Sequence, residues 1–533
     1  MKNFRMFQYF GVVALVALSA LVQAQTYTEL HNFNWHKEGA NPLEPALMAQ
    51  GEDGSLYGTL QSQLSGDGSA FSCTLSGTLT QLYGFTGDDG DYPQSGLSLG
   101  FDGNFYGTTE TGGPLRKGTV FKISPSGSMT VLYEFTDGTD GAYPWAPPIQ
   151  APDGNIYGVT YNGTNQGKAY RITPPGTFSV IATLPSETQA PLILGADGNF
   201  YGTTPYGGDF NRGTVFQLTT KGKLKIIHSF GADGTIPGGP VLQAADGKLY
   251  GVTTWGGTLG LGTVFTMSTG GGGYKVLHNF QSTEGVNPSS GLVQGSDKFL
   301  YSVAPTGGAN GVGSIFKINT SGKTFSVLYN FAKNGGHNPT GTPTLHTNGT
   351  IYGVTYTGGS QFPGYGVLYS FNNGLKPFAS LVVIWSGKVG TSVGILGQGF
   401  STATGVKFGA GAGTFKVISD SYMIATAAAG ATTGNVTVVE PGGNLVTPKV
   451  FKVTPQALKF SPTSGPAGTQ VVITGMSLTQ ATSVSFGGVK ATSFTVNSDT
   501  QVTATVPTGA KTGKVTIVTK GGSAAAPGKF TVS

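Results

Sequence analysis

The chain has 533 residues, enough for several domains, and only 10% of them are charged against about 25% in an average soluble domain. Its formal net charge of +5 comes from scattered residues with no basic run, which excludes a nucleic-acid or membrane-surface partner recognised by charge. With 88 glycines and one cysteine, it is a chain of tight turns that forms no internal disulfide.

The opening segment pairs Lys2 and Arg5 with an apolar run, Phe10 to Leu18, and then small residues at Val22-Gln23-Ala24, the pattern of a secretory signal peptide over residues 1–24. The apolar run is shorter than the roughly 20 residues of a membrane-spanning helix. No cysteine stands at the cleavage site to take a lipid. The expectation is a chain beginning near Gln25, secreted or held at the cell surface, with no stable membrane insertion.

From there to about residue 379 one unit recurs, seen in Asp246-Gly247-Lys248-Leu249-Tyr250-Gly251-Val252-Thr253-Thr254-Trp255-Gly256-Gly257 and then Gly262-Thr263-Val264-Phe265. Copies are anchored on Tyr57, Tyr106, Tyr157, Tyr201, Tyr250, Tyr301 and Tyr352, 44 to 51 residues apart. Each holds four apolar stretches of strand length, joined by Asp-Gly and Ser-Gly pairs that suit tight hairpins. A period of about 40 to 50 residues with four strands is that of a propeller blade. The spacing therefore predicts a seven-bladed β-propeller over residues 25–379. Cys73 aligns with Ile123 of the next copy and is expected in the core. Tyr27 to Phe33 matches the fourth strand of other copies before any full repeat has begun, and Leu375 to Leu381 is a weak fourth strand of the last copy. Either could close the ring and remove its open edges.

Alternation of four strands puts the tight turns on one face. The Gly-Gly loops between second and third strands share the other face with the blade-to-blade crossings. After residue 379 a different duplication begins. Gly390-Thr391-Ser392-Val393 matches Gly468-Thr469-Gln470-Val471 at an offset of 78, and Gly434-Asn435-Val436 matches Gly513-Lys514-Val515 at 79. Two immunoglobulin-like β-sandwich domains follow the propeller on this reading, over residues 380–453 and 454–533. The fold class is all-β throughout.

Repeats of the form Asp-Gly-x-Leu-Tyr-Gly-Thr-Thr, Gly-Thr-Val-Phe-Lys-Ile and Val-Leu-Tyr-x-Phe resemble the choice-of-anchor tandem-repeat GloVer family of secreted bacterial proteins, over residues 27 to 379. The resemblance implies an exported protein and brings no catalytic residues with it. Phe460-Ser461-Pro462-Thr463-Ser464-Gly465-Pro466, with Val484-Ser485-Phe486-Gly487-Gly488, resembles the IPT/TIG domain. The preceding copy departs from that pattern at Ile384-Trp385 and is a degenerate version.

Of six histidines, His31, His228 and His278 occupy the slot of Tyr83, Tyr133 and Tyr329 and read as structural. His36 and His337 lie in crossing loops, and no pair has zinc-ligand spacing. Asp88, Asp89 and Asp91, or Asp137 and Asp140, would be the oxygen ligands if calcium bound, but a turn-forming role is preferred and no cofactor is expected. Glycoside cleavage needs two carboxylates about 5 to 9.5 Å apart, which a linear sequence does not display. Aromatic residues in the Gly-rich loops point elsewhere: Trp145, Tyr161, Tyr206, Trp255 and Tyr356, with Arg116, Asp209 and Arg212 as polar companions. Exposed rings stack on sugars or on partner side chains, whereas buried ones would pad the loops. The expected function is non-catalytic binding or adhesion by a monomer, through the loop-rich face, to an extracellular glycan or protein. A polysaccharide hydrolase or lyase and a cell-surface spacer are the alternatives.

Overall fold

In the first five repeats the Asp-Gly pair does more than turn the chain, and Asp297-Lys298 and Asn348-Gly349 take its place in the last two. Asp246 accepts the Lys248 amide at 3.1 Å and the Tyr250 hydroxyl at 2.7 Å, while Gly247 takes a φ of 82°. The same Asp-to-Tyr bond holds Tyr57, Tyr106, Tyr157, Tyr201 and Tyr301, at 2.7 to 3.1 Å. In the last copy the Asn348 amide donates to Tyr352 instead, at 3.1 Å. The Tyr anchor is thus the lock of the first hairpin. The glycine after it has a packing cause: a Cβ on Gly251 would lie 2.5 Å from the ring of Phe265 on the neighbouring strand.

A computed structural model describes residues 25–34, 48–61, 67–162, 166–174, 176–360 and 364–533. The leader lies outside the described residues. Seven four-stranded antiparallel sheets follow one another, each with its Tyr anchor on the second strand. Blade 1 comprises Ala49–Gln50, Leu56–Leu60, Ser69–Cys73 and Leu79–Gly84, and blades 2 to 6 span 98–134, 149–183, 193–229, 242–279 and 293–330. Blade 7 is built from His337–Leu345, Ile351–Thr357 and Val367–Asn372, with Thr26–Asn32 as its outer strand, antiparallel to Val367–Asn372. The N-terminal strand therefore closes the ring, and Leu375 to Leu381 leads into the next module. Closure is favoured because an unpaired edge on the last blade would leave its backbone groups exposed.

Between neighbouring blades lie apolar clusters, such as Tyr57, Phe105 and Phe121 between blades 1 and 2, and Tyr250, Leu300 and Phe316 between blades 5 and 6. Phe33, Leu56, Phe71 and Tyr352 join blade 7 to blade 1. Second and third strands are buried on both faces, which explains their unbroken apolar runs. Cys73 is a free, fully buried thiol, its pKa pushed up to about 11 by burial.

Residues 380–533 form two sandwiches around separate cores, one centred on Phe400, Phe408 and Phe451, the other on Phe460, Phe486 and Phe530. In the first, the nine-residue strand Gly411–Ser419 runs through both layers and joins them into one eight-stranded sheet. In the second, Val489–Lys490 and Phe494–Ser498 divide that span, and the layers stay apart. The first module docks on the tight-turn face of the propeller: the Ser419 and Ser421 hydroxyls donate to the Glu52 carbonyl at 2.8 and 2.7 Å. Among the described residues no helix is long and apolar enough to cross a membrane.

Candidate functional site

The loop-rich face is pinned by its crossings. In five of them the residue before a proline takes a left-handed conformation: Tyr92, Tyr143, Ile236, Asn287 and Asn338, with φ from 53° to 56°. Such a conformation is strained for tyrosine and isoleucine, and it persists where surrounding bonds over-determine it. The Tyr143 amide donates to the Lys117 carbonyl of the preceding blade at 2.9 Å, and its own carbonyl accepts from the Tyr161 amide of the next at 3.0 Å. Tyr92 does the same between Asp67 and Glu110, and Ile236 between Arg212 and Thr254. Each crossing thus fixes two side-chain positions, the residue after the proline and the fourth residue after the Tyr anchor.

Those positions surround the channel mouth, a cavity of about 520 Å³ lined by Gln94, Trp145, Gln189, Ser289, Pro305, Asn338, Thr340 and Tyr356. Trp145 stacks on Tyr161 with ring centroids 4.7 Å apart and planes 11° apart. In the equivalent pair of blade 2, the Gln94 amide donates to the Glu110 carboxylate. Burial pushes the Glu110 carboxyl above the ordinary range, and the nearby Trp145 and Gln94 dipoles offset this only in part. The Trp145 indole nitrogen lies beside Glu110 and lowers its pKa, though it and the buried Thr340 hydroxyl make no hydrogen bond of good geometry among the described residues. Burial, and next the Glu187 charge, raise the Tyr161 phenol.

The predicted aromatic residues fall into two groups. Trp145, Tyr161 and Tyr356 belong to the mouth, Tyr161 through its stack on Trp145. Tyr206, Arg212 and Trp255 line a separate depression of about 460 Å³ between blades 4 and 5. Asp209 and Arg116 are exposed and line neither cavity. Gln94, Glu110 and Gln189 were not singled out from sequence. Their signal was available in the alignment of crossings, since Gln94 takes the slot of Trp145, and Glu110 stands four residues after Tyr106 as Tyr356 does after Tyr352.

The acidic loops are occupied by internal bonds. Asp89 accepts from the Tyr83 hydroxyl and the Thr86 amide. Asp137 pairs with Lys117 at 2.7 Å. Burial pushes Asp140 up, but hydrogen bonds from Thr136 and Tyr133 outweigh it and hold the carboxyl below its usual range. Among the described residues no three His, Cys, Asp or Glu side chains come together as a metal would need. His278 and His228 stack on Phe325 and Tyr274 at 3.8 and 3.9 Å, and His337 bonds the Gly335 carbonyl at 2.9 Å. His36 lies outside the described residues.

No curated protein matches the chain. Among solved structures, it is similar to a fungal alcohol oxidase of the AA5 family in complex with copper, at 14% identity over 94% of this chain and 100% of that one, with a TM-score of 0.46. TolB from Acinetobacter baumannii is 14% identical over 52% of this chain and 63% of that one, with a TM-score of 0.35. The surface glycan-binding protein PbSGBP-B from Prevotella bryantii is 16% identical over 36% of this chain and 43% of that one, with a TM-score of 0.23. A model of the IPT/TIG domain matches residues 455–532. The Gloeobacter/Verrucomicrobia repeat model matches residues 11–191 and 187–417, most of the length, and the chain belongs to that repeat family.

Proposed function

We propose that this is an exported, non-catalytic, monomeric binding protein that holds an extracellular glycan at the channel mouth. The observation that carries the reading is the Trp145–Tyr161 stack beside the side-chain amides of Gln94, Gln189 and Asn338. A ring braced on one face by its stacked neighbour covers the C–H face of a sugar with the other, and amides and a carboxylate meet its hydroxyls. Neither a metal nor a cofactor is needed for such binding. Calorimetry of the full chain with cello-, xylo-, manno- and laminari-hexaose tests this. Saturable binding of one class, with a change in tryptophan fluorescence, is expected, and binding of none rejects the proposal.

A hydrolase or lyase acting on an extracellular polysaccharide has Glu110 in its favour, a half-buried carboxyl held above its ordinary range and bonded to the mouth-lining Gln94. Turnover of a bound oligosaccharide that Glu110→Gln abolishes would establish it. A surface spacer has less support, because Tyr206, Trp255 and Tyr356 keep 44%, 48% and 38% of their surface exposed.

A further inference from the structure

The opposite end of the channel holds a second cavity, of about 320 Å³, between the tight-turn face and the first sandwich module. Its floor comes from the inner strands of blades 4 to 7, with Leu194, Leu242, Val293 and Leu345, and its roof from Phe378, Trp385 and the strand Leu445–Val453. Among the described residues no acidic side chain lines it. The two glutamines in its wall are committed: Gln243 accepts from the Ala196 amide at 2.7 Å and donates to the Gly247 carbonyl at 3.0 Å, and Gln294 accepts from the Ala245 amide at 2.8 Å. Lys452 donates to the Ala196 carbonyl.

Lys449 is different. Its amine lies 4.7 Å from the centre of the Trp385 ring, and among the described residues no hydrogen bond or ion pair engages it. The residue is exposed at the open cavity that it lines, and the surrounding protein draws the amine below the usual lysine range. The ammonium faces apolar walls and one ring face, so its charge is left open to an anionic partner, and the cation–π contact orients it.

We propose that this cavity is a binding site for a small carboxylate with an apolar body, its head paired with Lys449 and its body against Trp385, Phe378 and the inner-strand leucines. The size suits such a ligand, since pockets for small molecules start at about 300 Å³. Charge complementarity selects the anion: among the described residues two lysines and no acid face the space. The site is separate from the channel mouth and stands whether or not a glycan binds there.

Sodium octanoate and octanol are the probes, titrated calorimetrically into the full chain and into Lys449→Met, which keeps the apolar stem. Saturable octanoate binding that weakens at least tenfold in the variant, with octanol unaffected and the melting temperature not lowered, is the expected result. Absence of saturable octanoate binding to the unaltered chain overturns the proposal. Equal octanoate affinity in both proteins overturns it as well, because the ammonium would then contribute nothing.

Discussion

The two sides of the channel mouth share a backbone and differ in side chains. At blades 2 and 3 the paired slots hold Gln94 with Glu110 and Trp145 with Tyr161; at blades 5 and 6 they hold Gly238 with Thr254 and Ser289 with Pro305. The left-handed crossings are the same on both sides, at Tyr92 and Tyr143 as at Ile236 and Asn287. Five crossings thus share one backbone while the side chains that they carry differ from one side of the mouth to the other. Loop variation on a rigid frame is the usual way in which a repeat architecture acquires a site.

The largest effect should come from breaking what both sides share. Gly107→Ala and Gly251→Ala each drive a Cβ to 2.5 Å from a buried phenylalanine ring, Phe121 or Phe265. Overpacking of this kind costs about 1–3 kcal/mol. Thermal unfolding should show both variants destabilised alike, though one lies on the decorated side and the other on the plain side. A loss confined to one would mean that the blades are not equivalent supports.

Next in size is a change that separates the sides. Trp145→Ala should lower affinity for the bound hexaose at least tenfold, a loss of about 1.4 kcal/mol. Ser289→Ala, in the equivalent slot, should leave it unchanged. Calorimetry at one temperature compares them directly. Equal losses would put the ligand in the centre of the channel, in contact with all blades.

Most of the architecture was legible because its determinants are local and repeated. The Asp-to-Tyr hydrogen bond spans four residues, so the second strand announces itself in Asp-Gly-x-x-Tyr in five blades and in close variants, Asp297-Lys298 and Asn348-Gly349, in the other two. Ring closure was not legible. The choice between Tyr27 to Phe33 and Leu375 to Leu381 depends on pairing across more than 300 residues, for which two similar apolar segments compete. The site was half legible for the same reason. Aromatic residues in glycine loops stand out by composition, whereas Glu110 and Gln94 gain meaning only when the crossing folds one onto the other. Trp255 and Tyr206 share a slot, but that slot faces a depression away from the mouth.

A smaller effect concerns pH and belongs to the scaffold. His346 donates from Nε2 to the Gly54 carbonyl at 3.0 Å and accepts the Asn348 amide on Nδ1 at 3.1 Å, where blade 7 meets blade 1. Burial lowers its pKa from 6.5, and the two hydrogen bonds only partly offset this. The unfolded chain therefore binds the proton more readily than the folded one, and stability rises with pH between the two values. The contribution is complete above about pH 6.5 and is lost as pH falls through the folded value. Melting temperatures taken from pH 7.5 to 5 should decline, and His346→Gln should flatten that decline. An unchanged slope in the variant would assign the acid sensitivity to other groups.

The smallest effect is expected at Tyr206 and Trp255. Both rings are about half exposed, at 44% and 48%, on the depression that also holds Arg212. Replacing exposed side chains usually shifts stability by less than about 0.5 kcal/mol, so Tyr206→Ala with Trp255→Ala should melt close to the unaltered chain. Because their depression is not part of the mouth, hexaose affinity should change less than the tenfold expected for Trp145→Ala. A loss larger than that of Trp145→Ala, in a double variant of normal stability, would move the binding platform from the mouth to the outer groove of blades 4 and 5. It would also make Arg212, not Gln94, the polar partner to test next. A large fall in melting temperature would instead show that the two rings brace the loops between blades, and that their exposure has nothing to do with a ligand.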